Sequence, residues 1–371
     1  MLEYLHIKNF KTILAGGFEL SGLNIFSGLN GMGKSSLIQT LLLLRQSYER
    51  NLLVDKGLLL QGDYVSLGTG RDVLSQESQE DEFSFIVKWT NSSFATEFSF
   101  DYADTSDLQP MQKLNPAIIE HAERLSLFNN NFRYLSADRV APTSHHQLSE
   151  FHIKELNSLG IRGEYTVHYI AEYADQAVSN HPLIHKEAAS SDLLTNINAW
   201  MSEIAPGLRV RTQAVPHFNA ATLGFSFVQG NQVTNEFKPQ NVGFGLSYVL
   251  PVVTSILSAK PGDLLIIENP ESHLHPAGQA VMGRLCALAA HHGIQLIVES
   301  HSDHFLNGVR VAVKEQLATP DDVRLYFLER ESTDQQHASH ILRPKIDEQG
   351  RIDQWPNGFF DEWDKQLDRL L

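Results

Sequence analysis

Short apolar runs that end in small or polar residues recur along the chain. Leu23–Phe26 leads into a glycine-rich stretch, and Leu37–Leu44 beyond that stretch has the apolar character of a helix start. Leu264–Ile267 and Leu296–Val298 are each followed directly by a glutamate. Runs of this length are typical of strands that are buried inside the sheet of an α/β protein. The pattern therefore predicts an α/β protein with polar residues at the ends of its buried strands.

Alternation of apolar and polar residues predicts a second kind of structure. Tyr4–Ile7, Phe83–Val87 and Phe94–Phe100 alternate as half-buried antiparallel strands do. Residues 101–116 are polar and contain two prolines, which predicts a loop.

Helical periodicity predicts helices in residues 171–178 and 191–204. The chain is thus expected to have three parts. These are an N-terminal lobe of residues 1–142 with an antiparallel β subdomain, a helical insertion of residues 143–205 and a C-terminal lobe of residues 206–371. The predicted fold class is α/β with a mixed sheet.

Composition narrows the classes of function. The formal net charge of −15 over 371 residues disfavours nucleic acid as a default partner, although a local basic groove could still exist. Cys286 is the only cysteine, so no intrachain disulfide can form, and a cytoplasmic location is expected. No run approaches the roughly 18 apolar residues of a membrane span, so no membrane partner is expected.

The stretch Gly28–Ser35 has the spacing G-x-x-x-x-G-K-[ST] between a predicted strand and a predicted helix. In that setting, backbone N–H groups and the helix N-terminus surround the phosphates of a nucleotide. Lys34 is expected to contact the β- and γ-phosphates of ATP, and the Ser35 hydroxyl to bind Mg²⁺. The predicted nucleotide-binding residues of this loop are Asn30, Gly31, Gly33, Lys34, Ser35 and Ser36.

Two carboxylates follow the apolar strand Leu264–Ile267. Glu268 at the strand end is a candidate for the Mg²⁺ shell, where Asp is more usual, so its contact with the metal is expected to be an outer-shell one. Glu271, three residues further on, can polarise a water molecule and is the candidate catalytic base.

These motifs, with Ile7–Lys11 ahead of the glycine loop, resemble ABC-type P-loop ATPases of the SMC/RecF/OLD group over nearly the whole chain. The resemblance implies an ABC-ATPase head with a mixed sheet, an antiparallel β subdomain and an inserted helical lobe. It identifies Glu299–Asp303 as the switch motif, in which His301 contacts the γ-phosphate. Arg139 lies in a segment that also resembles the group, but the resemblance assigns no role to it.

Two further elements are implied by the same resemblance. Asn241–Pro251 is similar to the signature element, in which Gly245 and Ser247 contact the γ-phosphate on the opposite subunit. Ser247 is expected to begin a helix over residues 247–258. A glutamine of the Q-loop reaches Mg²⁺ and the attacking water. Gln61 is the preferred candidate for it and Gln46 the alternative.

The signature element implies a head-to-tail homodimer or higher oligomer that forms with ATP. Stand-alone relatives that lack a Toprim nuclease domain act in bacterial anti-phage systems, where a separately encoded nuclease or toxin is the effector. The expected function is therefore slow ATP hydrolysis that controls a partner. A RecF-like ATPase that binds DNA is the alternative. A Toprim nuclease is disfavoured because no Asp-x-Asp follows Glu329.

Overall fold

The computed structural model describes residues 1–29, 31–90, 95–114, 122, 124–230, 232–330 and 339–370, and the findings below concern those residues. They form two compact units. The first unit comprises residues 1–132, 324–345 and 352–371, and the second comprises residues 133–323 and 346–351. The division into three parts that the sequence suggests stays a prediction.

The elements are numbered in chain order. The N-terminal third contains β1 (Leu2–Phe10), β2 (Ile13–Glu19), β3 (Leu23–Gly28), α1 (Lys34–Glu49), β4 (Gly57–Leu59), β5 (Glu82–Trp89), β6 (Thr96–Asp101) and β7 (Leu108–Leu114). It is followed by β8 (Phe132–Leu135), β9 (His145–Gln147), α2 (Thr166–Tyr173), α3 (Leu193–Ile204), β10 (Leu208–Val215), β11 (Ala220–Gln229) and β12 (Gln232–Val233). The remainder contains α4 (Phe244–Leu257), β13 (Leu264–Glu268), α5 (Pro276–His291), β14 (Gln295–Glu299), α6 (Asp303–Lys314), β15 (Val323–Arg330), β16 (Ser339–Leu342) and α7 (Glu362–Leu370).

The first unit contains an antiparallel sheet in the strand order β2-β1-β5-β6-β7-β4. The alternation in β5 places Phe83 and Phe85 on its buried face, where both rings pack near Phe10 at centroid distances of 6.0 and 5.3 Å. This sheet confirms the antiparallel β subdomain. Large aromatic side chains at alternate positions of its strands are buried on one face, and their packing stabilises the sheet.

Residues 101–116 are not a continuous loop, because β7 lies within them. The polar side chain of Gln109 is fully buried, and its amide donates hydrogen bonds to the carbonyl oxygens of Ala103 and Ser106. Gln109 thus occupies a buried strand position at which a strand pattern predicts an apolar residue, and its amide satisfies the carbonyl groups of the preceding turn. The sequence-based prediction was wrong for this reason.

A second group of strands in the first unit has the order β16-β15-β3. The rings of Phe26 in β3 and Tyr326 in β15 are stacked with a centroid distance of 5.0 Å, and Phe18 packs edge-on against Tyr326 at 5.3 Å. The last residue of β3 begins the glycine loop, and α1 follows that loop. This local strand–loop–helix order agrees with the sequence-based prediction.

The second unit places β13 beside β14 and β8. The pair β13 and β14 is parallel, with Glu268 opposite Glu299. A separate sheet contains β10, β11, β12 and β9. Since side chains at the carboxyl ends of adjacent parallel strands share one sheet edge, the two glutamates lie side by side.

Two helix boundaries differ from those predicted. The helix predicted over residues 171–178 is wrong for residues 174–178, because α2 ends at Tyr173 and Ala177 instead forms a β-bridge with Asp192. The helix predicted over residues 247–258 is α4, which begins at Phe244. Among the described residues, no helix combines the length and apolarity that a bilayer crossing requires.

Candidate functional site

The glycine loop after β3 depends on glycine at defined positions. Gly28 has φ +141°, and a Cβ atom there would collide with the backbone of Leu328 in the same unit. Gly33 has φ +88° and caps α1, where a Cβ atom would lie 2.5 Å from Thr12 Oγ1. Gly31, at φ +79°, has open space where its Cβ atom would be. The loop can therefore approach a phosphate group closely with its backbone.

Lys34, Ser35 and Ser36 form the first turn of α1. In this turn, the Lys34 side chain folds over the loop, and its Nζ donates to the carbonyl oxygens of Gly28 at 2.9 Å and Leu29 at 2.8 Å. The backbone N–H of Ser36 is hydrogen-bonded to Gly33 O. Positive charge and a helix N-terminus thus converge at this loop, which fits an anionic ligand. Asn30 lies outside the described residues.

The two candidate Q-loop glutamines have different surroundings. Gln46 is 2% exposed, and its Nε2 donates to Leu59 O at 2.8 Å while its Oε1 accepts from Val65 N at 3.1 Å. Gln61 is exposed and donates to Gly68 O at 3.2 Å. The Gln46 amide therefore holds the segment that carries Gln61, which leaves Gln61 as the glutamine that a ligand can reach.

Both carboxylate oxygens of Glu268 accept hydrogen bonds, one from a residue in β8 and one from a residue just after it. The Tyr134 hydroxyl lies 3.0 Å from Oε1, and the Ala137 N–H lies 3.0 Å from Oε2. Burial raises the pKa of Glu268, and the carboxylate of Glu299 adds to this effect. Each oxygen keeps a further lone pair. An outer-shell contact with Mg²⁺ is therefore compatible with this arrangement.

Glu271 is held by one of its two carboxylate oxygens. Oε1 accepts hydrogen bonds from the Ser300 hydroxyl at 2.8 Å and from the His301 backbone N–H at 3.2 Å. Oε2 is buried and has no hydrogen-bond partner within the described part of the chain. Burial also raises the pKa of this carboxyl group. A fixed carboxylate with one unsatisfied buried oxygen is suited to accept a hydrogen bond from water.

The imidazole of His301 is 43% exposed, and its Nε2 lies 3.7 Å from Glu299 Oε1. Its backbone thus positions Glu271 while its ring remains accessible to a ligand. The chain brings Glu268, Glu271 and His301 together at the ends of β13 and β14, which the order of motifs alone could not establish.

The signature residues differ in part from expectation. Gly245 packs so closely on the His273 carbonyl that no Cβ atom fits there. Ser247 lies in the second turn of α4, because the helix begins at Phe244, so its backbone N–H does not belong to the unsatisfied first turn.

The Ser247 hydroxyl also points away from solvent. Its oxygen is buried without a hydrogen-bond partner among the described residues, and the same holds for Thr166 Oγ1. Both residues line a cavity of about 20 Å³ beside Pro251. A phosphate contact by this hydroxyl therefore requires a change of its rotamer.

Three residues that position the candidate site were not predicted from the sequence. These are Tyr134 and Ala137 around Glu268, and Ser300, which contacts Glu271. Ser300 stands in the switch motif and could have been found from that position. Tyr134 and Ala137 precede Glu268 by more than a hundred residues, and no local pattern connects them to it.

Two known families match parts of this chain. Residues 23–307 match the family described as "AAA domain, putative AbiEii toxin, Type IV TA system". Residues 319–370 match the family described as "Protein of unknown function (DUF3696)". Among curated proteins, none matches this sequence.

Two solved structures of low sequence identity have a similar fold. An SMC head bound to the C-terminal winged-helix domain of ScpA is 13% identical, with a TM-score of 0.55, over 93% of this chain and 98% of that one. An SMC head domain with an extended coiled coil, bound to the C-terminal domain of ScpA and derived from Pyrococcus furiosus, is 12% identical, with a TM-score of 0.53, over 100% and 99%. The predicted ABC-ATPase head fold is thereby confirmed.

Proposed function

The chain belongs to the AAA-domain family that its residues 23–307 match, and we propose that it hydrolyses ATP slowly as a head-to-tail homodimer. In this proposal the ATP-bound dimer, or a higher oligomer, controls a separately encoded effector such as a nuclease or a toxin, in defence against phage. We place this activity in the cytoplasm, because the single cysteine, Cys286, is buried as a free thiol.

The arrangement of Glu271 is the observation that carries the hydrolytic part of this proposal. One oxygen of its carboxylate is fixed by two donors from the segment after β14, and the other is buried without a donor among the described residues. Glu268 differs, because both of its oxygens accept hydrogen bonds from the protein. We therefore assign Glu271 as the base that orients the attacking water.

The other roles follow from chemistry and position. Lys34 and the N–H groups of Gly31 and Gly33 bind the phosphates, and Ser36 lies in the same turn. Ser35, Glu268 and Gln61 are the proposed residues of the Mg²⁺ shell. When bound, Mg²⁺ neutralises charge that develops on the phosphate oxygens. His301 contacts the γ-phosphate through its exposed ring, a role open to a side chain that can donate or accept near neutral pH.

Partner control is supported by what similar proteins bind. The titles of both SMC-head structures state that these heads are bound to domains of ScpA, which is a separate protein. The family description names a type IV TA system. The proposed dimer uses the signature element, where Gly245 and Ser247 contact nucleotide on the other subunit.

A RecF-like ATPase that binds DNA is the second candidate, and the SMC-head fold is what favours it. The net charge of −15 opposes it, because binding to a phosphate backbone is dominated by Lys and Arg contacts. Stimulation of phosphate release by double-stranded DNA at physiological salt, with a steep dependence on salt concentration, would support this candidate over the first.

The proposed function can be tested by measuring phosphate release and mass by light scattering, with and without ATP and Mg²⁺. Wild type should release phosphate slowly, and Glu271→Gln should lose at least about 100-fold in rate while its mass increases with ATP. The control is Glu315→Gln at the exposed C-terminal end of α6, which should behave as wild type. Equal rates in Glu271→Gln and wild type would overturn the assignment of the base.

A further inference from the structure

Arg139 is a buried arginine next to the proposed catalytic carboxylates. It is 1% exposed, and its guanidinium group donates to two consecutive backbone carbonyl oxygens, that of Glu268 at 2.5 Å and that of Asn269 at 3.1 Å. These carbonyl groups belong to the last residue of β13 and to the first residue of the turn that carries Glu271. The planar guanidinium group of Arg139 therefore binds the backbone on both sides of the junction between β13 and the turn.

That turn has an unusual backbone conformation. Asn269 adopts φ +45°, in the left-handed region, which asparagine enters more readily than most other non-glycine residues. Its N–H donates to Glu299 O at 2.8 Å, and its carbonyl oxygen also accepts from Ser272 N at 3.2 Å. Hydrogen bonds from a charged guanidinium are stronger than neutral ones. Arg139 thus fixes this left-handed turn through two charge-assisted hydrogen bonds.

Arg139 also supplies positive charge among buried carboxylates. Burial lowers the pKa of Arg139 to about 10, while the carboxylates of Glu271 and Glu268 oppose this shift. The guanidinium therefore remains charged at neutral pH. The Nε atom of Arg139 is buried and has no hydrogen-bond partner within the described residues, so no carboxylate is hydrogen-bonded to it there.

We infer that Arg139 is a positioning residue for ATP hydrolysis, which holds the turn so that Glu271 points its free oxygen at the attacking water. The inference rests on the proposed function, since it assigns Arg139 to act through Glu271. Arg139 also contributes positive charge beside both Glu268 and Glu271. This charge acts to lower the pKa of Glu268, which burial raises, and so opposes the effect of the neighbouring Glu299 carboxylate.

Arg133 provides a matched control. It is 5% exposed and lies six residues earlier, and its guanidinium donates to Asn157 O at 2.8 Å and to Ser258 Oγ at 2.6 Å. It is therefore a buried arginine with comparable hydrogen bonding, but none of its hydrogen bonds among the described residues reaches the Glu268–Glu271 turn. Loss of either arginine should reduce stability, and only loss of Arg139 should act on the chemistry.

The experiment compares kcat, KM for ATP and thermal stability in Arg139→Met, Arg139→Lys and Arg133→Met. For Arg139→Met we expect kcat to fall about 100-fold with KM changed less than about 3-fold, because a small displacement of the base costs that much. Arg139→Lys should recover part of the rate, because it keeps the charge but cannot bind both carbonyl groups as a fork. Arg133→Met should keep its kcat per folded molecule.

A double-mutant cycle separates this inference from the proposed function. If Arg139 acts through Glu271, then Arg139→Met should cause little further loss of rate in a Glu271→Gln background. Additive losses, or full kcat in both Arg139 variants, would overturn the inference while Glu271→Gln still supports ATP hydrolysis. Wild type that releases no phosphate would overturn the proposed function, and this inference with it. If Arg139→Met does not fold, the same measurements of kcat are made on Arg139→Lys, alone and in the Glu271→Gln background.

Discussion

The hydroxyl group of Ser300 donates to Glu271 Oε1 over 2.8 Å, from the first residue after β14 to the turn after β13. This bond fixes one oxygen of the candidate base. Ser300→Ala should lower kcat about 10-fold with little change in ATP affinity, because the carboxylate becomes free to rotate. Steady-state kinetics together with nucleotide binding would measure both. An equal loss of affinity and rate would contradict a role in orientation.

Lys34 is the residue on which nucleotide binding should depend most. Replacement by alanine removes the charge that contacts the β- and γ-phosphates, and we expect ATP affinity to fall by at least about 10-fold. Isothermal titration with ATP and Mg²⁺ measures this. The control is Lys314→Ala in the exposed last turn of α6, which should bind ATP as wild type does. Unchanged affinity in Lys34→Ala would contradict the assignment of the glycine loop.

Replacement of Gln46 should affect mainly stability, and replacement of Gln61 should affect mainly activity. Gln46→Ala removes buried hydrogen bonds to Leu59 and Val65 and should lower the free energy of unfolding by about 2–3 kcal/mol. Gln61→Ala should change stability by less than about 0.5 kcal/mol, because the side chain is exposed, but it should lower kcat. Urea denaturation and phosphate release distinguish these outcomes. The reverse pattern would identify Gln46 as the Q-loop residue.

The contact of Gly245 with the His273 backbone predicts a cost for any larger residue. Gly245→Ala should destabilise the protein by about 1–3 kcal/mol, because the new methyl group meets a carbonyl group that cannot move freely. Gly243→Ala is the matched control, since its Cβ atom would meet open space and its φ of −58° suits alanine. Chemical denaturation of both variants tests the difference. Similar stabilities would show that this part of α4 can shift.

Acidification should destabilise the protein through buried histidines. His168 is 4% exposed, its Nδ1 accepts the Ser149 N–H at 3.0 Å, and burial lowers its pKa. A histidine with a folded-state pKa below its unfolded value of 6.5 stabilises the fold above that pH. This contribution is lost as the pH falls from 6.5 towards the folded-state pKa.

The test measures the free energy of unfolding between pH 7.5 and 5. Wild type should lose stability over this interval, and His168→Gln should lose less. Replacement of the exposed His217 by Gln should leave the slope unchanged. A slope in His168→Gln as steep as in wild type would show that this histidine is not responsible.

Much of the site could be predicted from sequence because its parts are local. The loop from Gly28 to Ser36 needs only a strand, glycines with positive φ and a helix start, all within about a dozen residues. The same holds for Glu268 and Glu271, since a buried strand followed by a turn places two carboxylates near its end. Local backbone geometry decides such features, and local sequence encodes it.

Tertiary structure alone decided how those residues are held. Glu268 receives its hydrogen bonds from Tyr134 and Ala137, and Arg139 reaches the next turn across about 130 positions of the chain. The Ser247 hydroxyl is buried beside a small cavity that Thr166 and Pro251 also line. Burial and the satisfaction of buried polar groups depend on contacts between distant segments. A single sequence specifies which groups need partners, and only packing determines which partners they find.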